Sequence, residues 1–404
     1  MAPPDEIAIG HGRIALRKMT MIEKIEDPAA FRALRNEWDD LLEASSANSF
    51  FLTWEWLYPW WKHLSGDRKL SILTARASGE LIAIAPLAWR RQRIARIWPF
   101  PSLEFLGTDR ICSDYLDVIV RRGKEDEALR ALGEYLARET LLLELADVKR
   151  SRSMAVELAA ALETRGWSRT EAETDTCPFI TLAGHSWESY LATLGAEHRY
   201  NFRRRLRNLT QRSTVRFQQA HSPSQRREAL ALLVALHNMR WRDRGPSDAF
   251  NAPDLLSFHD EVSQLALDRG WLRLFTLTID GRPAASVYGF CYDHTFYFFQ
   301  SGFDPAFSKQ SVGLLSMGLA IRSAIESGAA EFDLLRGGEP YKFHWARESR
   351  ELGRLELYPP RGRALLYKQA RVVSRAAKTM AQGFRQDRER SIHSDHEFDR
   401  GSRP

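Results

Sequence analysis

The residues best suited to chemistry lie in one stretch, from Thr295 to Trp345. A strand-like aromatic run, Phe296–Gln300, is followed there by a polar turn and by a helix-like run with Gly313 near its start. Backbone amides at the start of a helix favour an anionic ligand. The turn Ser308–Gly313 is therefore predicted to hold a phosphate group, with an ordinary strand–helix turn as the alternative.

A carboxylate follows on a short apolar strand, where Asp333 stands between Phe332 and Leu334. A buried carboxylate must be paired or must have a raised pKa. Asp333 could therefore act as a general base, or it could pair with Arg336 or Lys342 as part of the scaffold. The sequence leaves both roles open.

A Gly-Gly turn precedes the next group of polar residues. Tyr341 and Lys342 follow this turn and are expected to project from a loop into a cleft. Lys342 could bind an anionic group of a donor or acceptor, or it could be a surface lysine. Glu339 is the other acid of the loop, and His344 is a further candidate base.

A histidine on a long predicted helix lies upstream of this stretch. His237 precedes Arg240 and Trp241 by about one helical turn. Because histidine titrates near neutral pH, His237 could act as a base. A half-buried structural histidine is an equal alternative.

The elements that must position these residues occur twice. Leu70–Ala83 aligns without gaps onto Leu272–Ala285, and each segment is a predicted hairpin with a Gly in its turn. Helices precede each hairpin, and strand, helix and strand follow it. The pattern indicates two copies of one α/β unit. Because the second copy alone has a clear Gly-bearing turn before its helix, it is predicted to be the active one.

The length of 404 residues indicates two or more domains. The predicted organisation is a flexible N-terminus at 1–20, a first domain at 21–185, a second domain at 186–360 and a basic tail at 361–404. The three cysteines show neither metal-ligand spacing nor a disulfide framework. With no apolar run near the roughly 20 residues that span a bilayer, a cytoplasmic location is expected.

The net charge of +6 favours an anionic partner. Basic residues cluster at Arg90–Arg96, at Arg199–Arg212 and in the tail after Pro360, although each cluster could be a solvated face. The tail could be a basic amphipathic helix that contacts a membrane, a helix packed on its own domain, or disordered. Nucleic acid is not favoured, because the pattern of a nucleic-acid-binding motif is missing.

The most specific string runs from Phe332 to Lys342, FDLLRGGEPYK. Together with His237, Arg240-Trp241, the strand Ala285–Tyr288 and the segment Gln300–Pro305, it resembles the GNAT acyltransferase superfamily. Within that superfamily it resembles the tandem-domain group linked to cellulose biosynthesis, the CelD/BcsL type. That group is similar to the FemAB peptidyltransferases.

This resemblance implies an α/β (α+β) fold with two tandem GNAT-like domains, each a mixed central sheet flanked by helices. It implies an acyl-CoA donor, commonly acetyl-CoA, bound by the second domain, and no metal. The predicted catalytic residues are Asp333, Lys342, Tyr341 and His237. The predicted cofactor-binding residues are Phe299, Gln300, Gln310, Ser311, Val312 and Gly313. The predicted substrate-binding residues are Arg240, Trp241, Arg336 and Glu339.

Two departures qualify this resemblance. Leu315 occupies a position where the GNAT cofactor motif has Gly or Ala, and Ser311-Val312-Gly313 replaces the Ser-Pro-Gly that the nearer group tends to show. The implied reaction transfers an acyl group from CoA to an amine or hydroxyl, with a small molecule, a saccharide or a cell-envelope precursor as acceptor. The alternatives are a FemAB-like aminoacyl or peptidyl transferase and a non-catalytic GNAT-like module in polysaccharide synthesis.

Overall fold

The computed structural model describes residues 20–94, 98–109, 111, 113–139, 141–241, 250–362 and 364–371, apart from the side chains of residues 92–99 and 241. The predicted flexible N-terminus therefore lies outside the described residues except for Thr20. The basic tail beyond residue 371, residues 95 and 96 of the first basic cluster and the side chain of Trp241 also lie outside them.

Strands and helices alternate along the described ranges. The strands are β1 (Met21–Ile25), β2 (Lys69–Leu70), β3 (Ile72–Ala77), β4 (Glu80–Ala85), β5 (Leu87–Ile94), β6 (Trp98–Phe105), β7 (Ile119–Val120), β8 (Leu142–Lys149), β9 (Ser168–Thr181), β10 (Val215–Gln219), β11 (Leu272–Ile279), β12 (Arg282–Tyr292), β13 (Thr295–Phe303), β14 (Glu331–Asp333) and β15 (Glu348–Tyr358).

Helix α1 begins at a capping residue, where Asp27 accepts a hydrogen bond from the Ala30 amide and Pro28 follows it. None of the helices in the described ranges is long and apolar enough to cross a membrane. The helices are α1 (Pro28–Ala33), α2 (Arg35–Glu43), α3 (Trp54–Leu64), α4 (Glu125–Glu139), α5 (Met154–Glu163), α6 (Trp187–Thr193), α7 (Ala196–Arg212), α8 (Pro223–Trp241), α9 (Pro253–Asp268) and α10 (Val312–Glu326).

The strands of the described ranges form a four-stranded sheet, β1-β3-β4-β7, and an eleven-stranded sheet, β10-β11-β12-β13-β14-β9-β15-β8-β6-β5-β2. The larger sheet joins the N-terminal half (residues 21–185) to the C-terminal half (residues 186–360), because β9 and β15 pair along their lengths at its centre. The predicted mixed α/β fold is therefore confirmed. The predicted domain bounds stay a prediction, since this sheet runs through both halves.

The two aligned hairpins turn in the same way. Ser78 and Gly79 link β3 to β4 with φ of 56° and 88°, and Asp280 and Gly281 link β11 to β12 with φ of 49° and 79°. Two successive residues with positive φ form the tight turn whose twist matches paired strands. The residues that do so are equivalent in the gapless alignment.

The hairpins also share an irregularity in strand pairing. The register shifts between Ala75 and Arg76 in the first hairpin and between Leu277 and Thr278 in the second. The alignment pairs these positions as well. Because a bulge depends on local backbone geometry rather than on side-chain alternation, this agreement supports the predicted repeat.

Each half contains one parallel strand pair. In the N-terminal half, β6 and β8 pair at three positions, from Ser102↔Leu142 to Glu104↔Glu144. In the C-terminal half, β13 and β14 pair at three positions, from Thr295↔Glu331 to Tyr297↔Asp333. Beyond the last paired position one strand continues and the other ends, so the two strands are no longer hydrogen-bonded to each other.

An aromatic core joins the halves. Phe50 stacks on Phe290 of β12 at 3.9 Å between ring centroids, and Trp56 of α3 meets Phe258 of α9 edge-on at 5.0 Å. All four side chains are fully buried. Burying several aromatic rings contributes several kcal/mol, about 1.5–3 each, so the halves form a cohesive body.

The first described part of the tail packs on the protein. Residues 364–371 are helical, and Arg371 forms ion pairs with Glu144 of β8 and Glu356 of β15. Tyr367 is buried beside Phe100 at 4.4 Å between ring centroids. This part of the tail therefore follows one of the predicted alternatives, a helix packed on its own domain.

Candidate functional site

A cavity of about 270 Å³ opens where the C-terminal strand pair separates. Strand β13 continues to Phe303, whereas β14 ends at Asp333 and the chain turns into a loop. We call this space the split cavity. Its walls come from β13, from the start of α10, from the loop after β14, and from α7 and α8: Phe298, Ser301, Gly302, Phe303, Gly313, Leu314, Ser316, Met317, Tyr341, His344, Trp345, His198 and Arg240.

The start of α10 faces this cavity through Gly313 and Leu314. A short 3-10 helix, Pro305–Gln310, leads to Ser311, which has φ of 55° and gives α10 no side-chain cap. The first amides of a helix have no acceptor within the helix. Uncapped amides beside a cavity can bind an anion, and the phosphate site predicted at the turn Ser308–Gly313 stays a prediction.

The predicted cofactor-binding residues do not all reach the split cavity. Gly313 lines it, whereas Val312 is buried and Gln310 is exposed. The Gln300 side chain accepts a hydrogen bond from the Ser301 amide. Of the predicted cofactor-binding residues, Gly313 alone is among those that line the cavity.

Phe299 lies on the opposite face of β13 from Phe298, the neighbour that lines the cavity. Its ring packs edge-on against Trp56 at 5.4 Å and Phe290 at 6.1 Å in the aromatic core. Successive side chains of a strand point to opposite faces, which explains the difference. The prediction that Phe299 contacts the cofactor is therefore not supported for its side chain.

Leu315 does not obstruct the start of α10. Its side chain is fully buried in the core beneath the helix, whereas Gly313 and Leu314 face the cavity. The departure from the GNAT motif therefore changes the core side of the helix.

Four polar side chains form the wall opposite α10. Burial raises the pKa of Tyr341 to about 12, with Glu339 adding to the effect, so its hydroxyl is neutral and can donate. His198 and His344 lie with ring centroids 5.4 Å apart, and burial lowers the pKa of His198. Arg240 donates to Ser301 Oγ at 3.4 Å. A neutral donor and imidazoles of this kind can move a proton.

The sequence did not indicate a role for His198, because the helix that contains it is distinguished only by its many basic residues. Its Nε2 atom is buried and has no hydrogen-bond partner among the described residues. A buried polar atom without a partner is costly, so a ligand in the split cavity would satisfy it. Its nearness to Trp345, at 4.5 Å between ring centroids, depends on tertiary packing.

His237 lies behind the cavity wall rather than in it. It is 1% exposed, its Nδ1 is 3.4 Å from the Ser301 carbonyl oxygen, and burial lowers its pKa. A Cβ at Gly302 would come within 2.5 Å of the His237 backbone nitrogen, so α8 and β13 touch at this glycine. This position fits support of β13 better than contact with a substrate.

Asp333 is held by three donors. The Tyr115 hydroxyl donates at 2.7 Å, Arg350 at 3.1 Å and the Leu335 amide at 2.8 Å. Burial raises the pKa of Asp333 to about 7. The carboxylate lines a second cavity between the halves, not the split cavity. These contacts agree with the predicted scaffold alternative, with Arg350 rather than Arg336 or Lys342 as the partner.

Lys342 was expected to project into a cleft, and the structure buries it instead. Its ammonium donates to the carbonyl oxygens of Leu335, at 3.1 Å, and Arg336, at 2.5 Å, and pairs with Glu339 at 3.0 Å. Leu335 has φ of 56°, so the chain turns sharply after β14. Lys342 thus fixes the loop that carries Tyr341.

Residues 196–343 match the family model for the acetyltransferase (GNAT) domain. The chain therefore contains a GNAT-type acetyltransferase domain. This domain includes β13, α10 and most of the wall of the split cavity. The predicted resemblance is confirmed at this level, and the CelD/BcsL type stays a prediction. No curated protein matches the chain.

Three solved structures share the fold over most of the chain. FemX aligns with a TM-score of 0.58 at 12% identity, covering 82% of this chain and 96% of FemX. A conserved protein of unknown function from Bacteroides thetaiotaomicron VPI-5482 gives 0.54 at 15%, covering 84% and 100%. The C-terminal domain of a putative lysylphosphatidylglycerol synthetase from Agrobacterium fabrum gives 0.50 at 12%, covering 86% and 96%. The predicted fold with two GNAT-like domains is confirmed.

Arg336 of the GNAT domain reaches into the N-terminal half, although it was predicted to bind substrate. Its guanidinium pairs with Asp114 and, at 2.9 Å, with Asp147, and it donates to the Ser113 carbonyl oxygen at 2.8 Å. Asp147 lies on β8 beyond its last pair with β6. The side chain therefore links β8, beyond its last pair with β6, to the loop that follows β6.

Proposed function

We propose that the GNAT domain transfers an acetyl or other acyl group from CoA to an amine or a hydroxyl. The observation that carries this proposal is the split cavity, which has uncapped helix amides at one end and a tyrosine hydroxyl and two imidazoles at the other. Acyl transfer from a thioester needs the acceptor to be positioned and to lose a proton. It also needs the developing oxyanion to be stabilised. The described groups supply these functions.

In this proposal the amides at the start of α10 hold the phosphates of the donor, with Lys309 exposed nearby. The thioester lies along β13 beside Ser301. His198 or His344 accepts the proton of the acceptor, since both imidazoles line the cavity. Tyr341 donates its hydroxyl proton to the departing sulfur or hydrogen-bonds to the oxyanion.

The acceptor is proposed to be a saccharide or a cell-envelope precursor, as the resemblance to the CelD/BcsL group implies. Arg240 and Glu339 remain candidates for contacting it, because Arg240 lines the cavity and Glu339 belongs to the loop beside it. In the part of the chain that the structure describes, no group of acidic, histidine or cysteine side chains could hold a metal. The proposed reaction needs none.

A FemAB-like aminoacyl or peptidyl transferase is the second candidate. It is favoured by the similarity in fold to FemX and to the putative lysylphosphatidylglycerol synthetase domain. The site geometry serves either donor, since both reactions pass an acyl group to a nucleophile.

Calorimetric titration of the full chain with acetyl-CoA tests the choice of donor. We expect binding at micromolar to millimolar concentrations and release of free CoA when a competent acceptor is added. No heat at millimolar acetyl-CoA, together with binding of an aminoacyl-tRNA, would favour the second candidate. Absence of both responses would favour the non-catalytic module.

A further inference from the structure

A second cavity of about 230 Å³ lies between the halves. We call it the interface cavity. The N-terminal half contributes Ser46, Ser49, Lys149 and Arg152 to its wall, and the C-terminal half contributes Thr295, Tyr297, Glu331, Asp333 and Arg350, among others. A space walled by charged groups from both halves is suited to a polar ligand.

The interface cavity is separate from the split cavity. Thr295 and Tyr297 line it from the start of β13, whereas Ser301 and Phe303 line the split cavity from the end of that strand. Tyr297 lines the interface cavity and its neighbour Phe298 lines the split cavity, because successive side chains of a strand point to opposite faces of the sheet. A ligand in one cavity would therefore leave the other accessible.

The acids of this wall already have partners. Arg350 pairs with Glu331 and, at 3.1 Å, with Asp333. Asp117 accepts hydrogen bonds from the amides of Met154 and Ala155 at the start of α5, at 3.0 and 2.6 Å, and from a third amide. The carboxylates of the wall are therefore engaged by donors other than Lys149 and Arg152.

Two cations of the wall have no such partners. Lys149 and Arg152 form neither a hydrogen bond nor an ion pair through their side chains with any described residue, although Glu331 and Asp333 favour the charged form of Lys149 from a distance. Burial, followed by the positive charge of Arg350, lowers the pKa of Lys149. Ser49, 6% exposed, adds a buried hydroxyl with no partner in the described ranges. The wall thus carries three acidic and three basic side chains, and Lys149, Arg152 and Ser49 keep spare hydrogen-bonding capacity.

We infer that the interface cavity binds the carboxylate or phosphate group of a small ligand, with Lys149 and Arg152 as its charged partners and Ser49 as a hydrogen-bond donor. The volume of about 230 Å³ admits a ligand of the size of a small metabolite. A charge-assisted hydrogen bond to an oxyanion would satisfy the lysine, which is only partly solvated.

Calorimetry on the full chain tests the inference with two probes, inorganic phosphate and succinate, titrated to millimolar concentrations. We expect at least one probe to bind, and the stronger one identifies the preferred oxyanion. Lys149→Gln should weaken that binding about tenfold or more, because it removes a charged partner. Lys69→Gln, which removes one exposed lysine elsewhere, should bind as the wild type does.

A second variant covers the case in which Lys149→Gln fails to fold. Ser46 is exposed at the cavity wall, so Ser46→Tyr can fill the space with little cost to the core. It should abolish probe binding while acetyl-CoA binding stays unchanged. The inference is wrong if neither probe binds the wild type, or if Ser46→Tyr binds the probe as the wild type does. Acetyl-CoA titration of the same samples keeps this outcome separate from the proposed function.

Discussion

The two parallel strand pairs, one in each half, have the same number of paired positions but differ in what lies beyond the last pair. Both pair at three positions and then separate. In the N-terminal half, Arg336 links Asp147 of β8 to Asp114 in the loop that follows β6. In the C-terminal half, the same kind of separation leaves the split cavity, with the start of α10 at its wall.

The difference shows that the repeated unit does not by itself create a site. The closing side chain comes from the other half, so the GNAT domain stabilises its neighbour with Arg336 while its own strand pair stays open. One half thus serves as scaffold and the other holds the candidate chemistry. That the second copy is the active one stays a prediction.

Removing the bridge should have the largest effect. Arg336→Met leaves Asp114, whose side chain is fully buried, without its charged partner. Breaking a buried ion pair from one side costs about 3–5 kcal/mol. The urea unfolding midpoint should therefore fall strongly, and the double variant Asp114→Asn/Arg336→Met should recover part of the loss.

Arg322→Gln is the matched surface control. Arg322 is exposed and pairs with Glu326 one turn away on α10, an arrangement worth about 0.3–0.5 kcal/mol. Its variant should unfold close to the wild-type midpoint. Unchanged stability of Arg336→Met, combined with weaker acceptor binding, would instead return Arg336 to the substrate-binding role predicted from sequence.

Filling the split cavity should strongly weaken donor binding. A Cβ at Gly313 would meet only the Phe303 ring, at 3.8 Å, so Gly313→Ala should be tolerated. Gly313→Trp would instead fill much of the split cavity and weaken acetyl-CoA binding by about a hundredfold or more, roughly 2.7 kcal/mol. Calorimetry measures the affinity, and thermal unfolding confirms that the variant is folded.

Gly195→Trp is the control for that substitution. A Cβ at Gly195 meets no atom within 4 Å, and the residue does not line the split cavity. It should bind acetyl-CoA as the wild type does. Wild-type affinity in Gly313→Trp would mean that the donor binds elsewhere, and the contrast between the two halves would lose its functional meaning.

Local features of the fold could be predicted from the sequence. The two hairpins follow from alternating apolar residues and from Ser78-Gly79 and Asp280-Gly281 turns, which act over a few residues. The uncapped start of α10 follows from a polar turn containing Gly313. These features were predictable because neighbouring residues determine them.

Contacts between the halves could not be predicted in this way. Arg336 meets Asp114, which lies 222 residues earlier, and nothing in the local pattern pairs them. The Gly-Gly turn suggested that Lys342 would be exposed, whereas two carbonyl oxygens and Glu339 bury it. His198 gave no signal, since its role depends on packing against Trp345.

The pH dependence of stability should differ between a variant of the C-terminal strand pair and a variant of the N-terminal strand pair. Burial raises the pKa of Asp333 to about 7, whereas an unfolded Asp titrates at about 3.9. Between these values the folded protein keeps a proton that the unfolded chain releases, so the wild type loses stability as pH rises. Asp333→Asn cannot titrate, and its stability relative to the wild type should rise by about 2 kcal/mol from about pH 5 to pH 8.

Asp147→Asn gives the same measurement for the N-terminal strand pair. Burial also raises the pKa of Asp147, and the Arg336 charge opposes the shift. The difference from the wild type should have the same sign and a smaller amplitude. A pH-independent difference for Asp333→Asn would mean that Arg350 keeps Asp333 charged throughout, and a loss of turnover without loss of stability would favour the general-base role.

The smallest expected effect concerns the Tyr341 hydroxyl in the wall of the split cavity. Tyr341→Phe keeps the ring and removes the neutral donor, whose pKa of about 12 leaves it protonated across the working range. Turnover should fall about tenfold while the acetyl-CoA affinity stays within about twofold, because a positioned proton donor acts mainly in the transition state. Phe343→Leu, at a neighbouring exposed position, should leave both unchanged. A fall in affinity with unchanged turnover would make Tyr341 part of the binding wall, and the proton would then have to pass through His198 or His344.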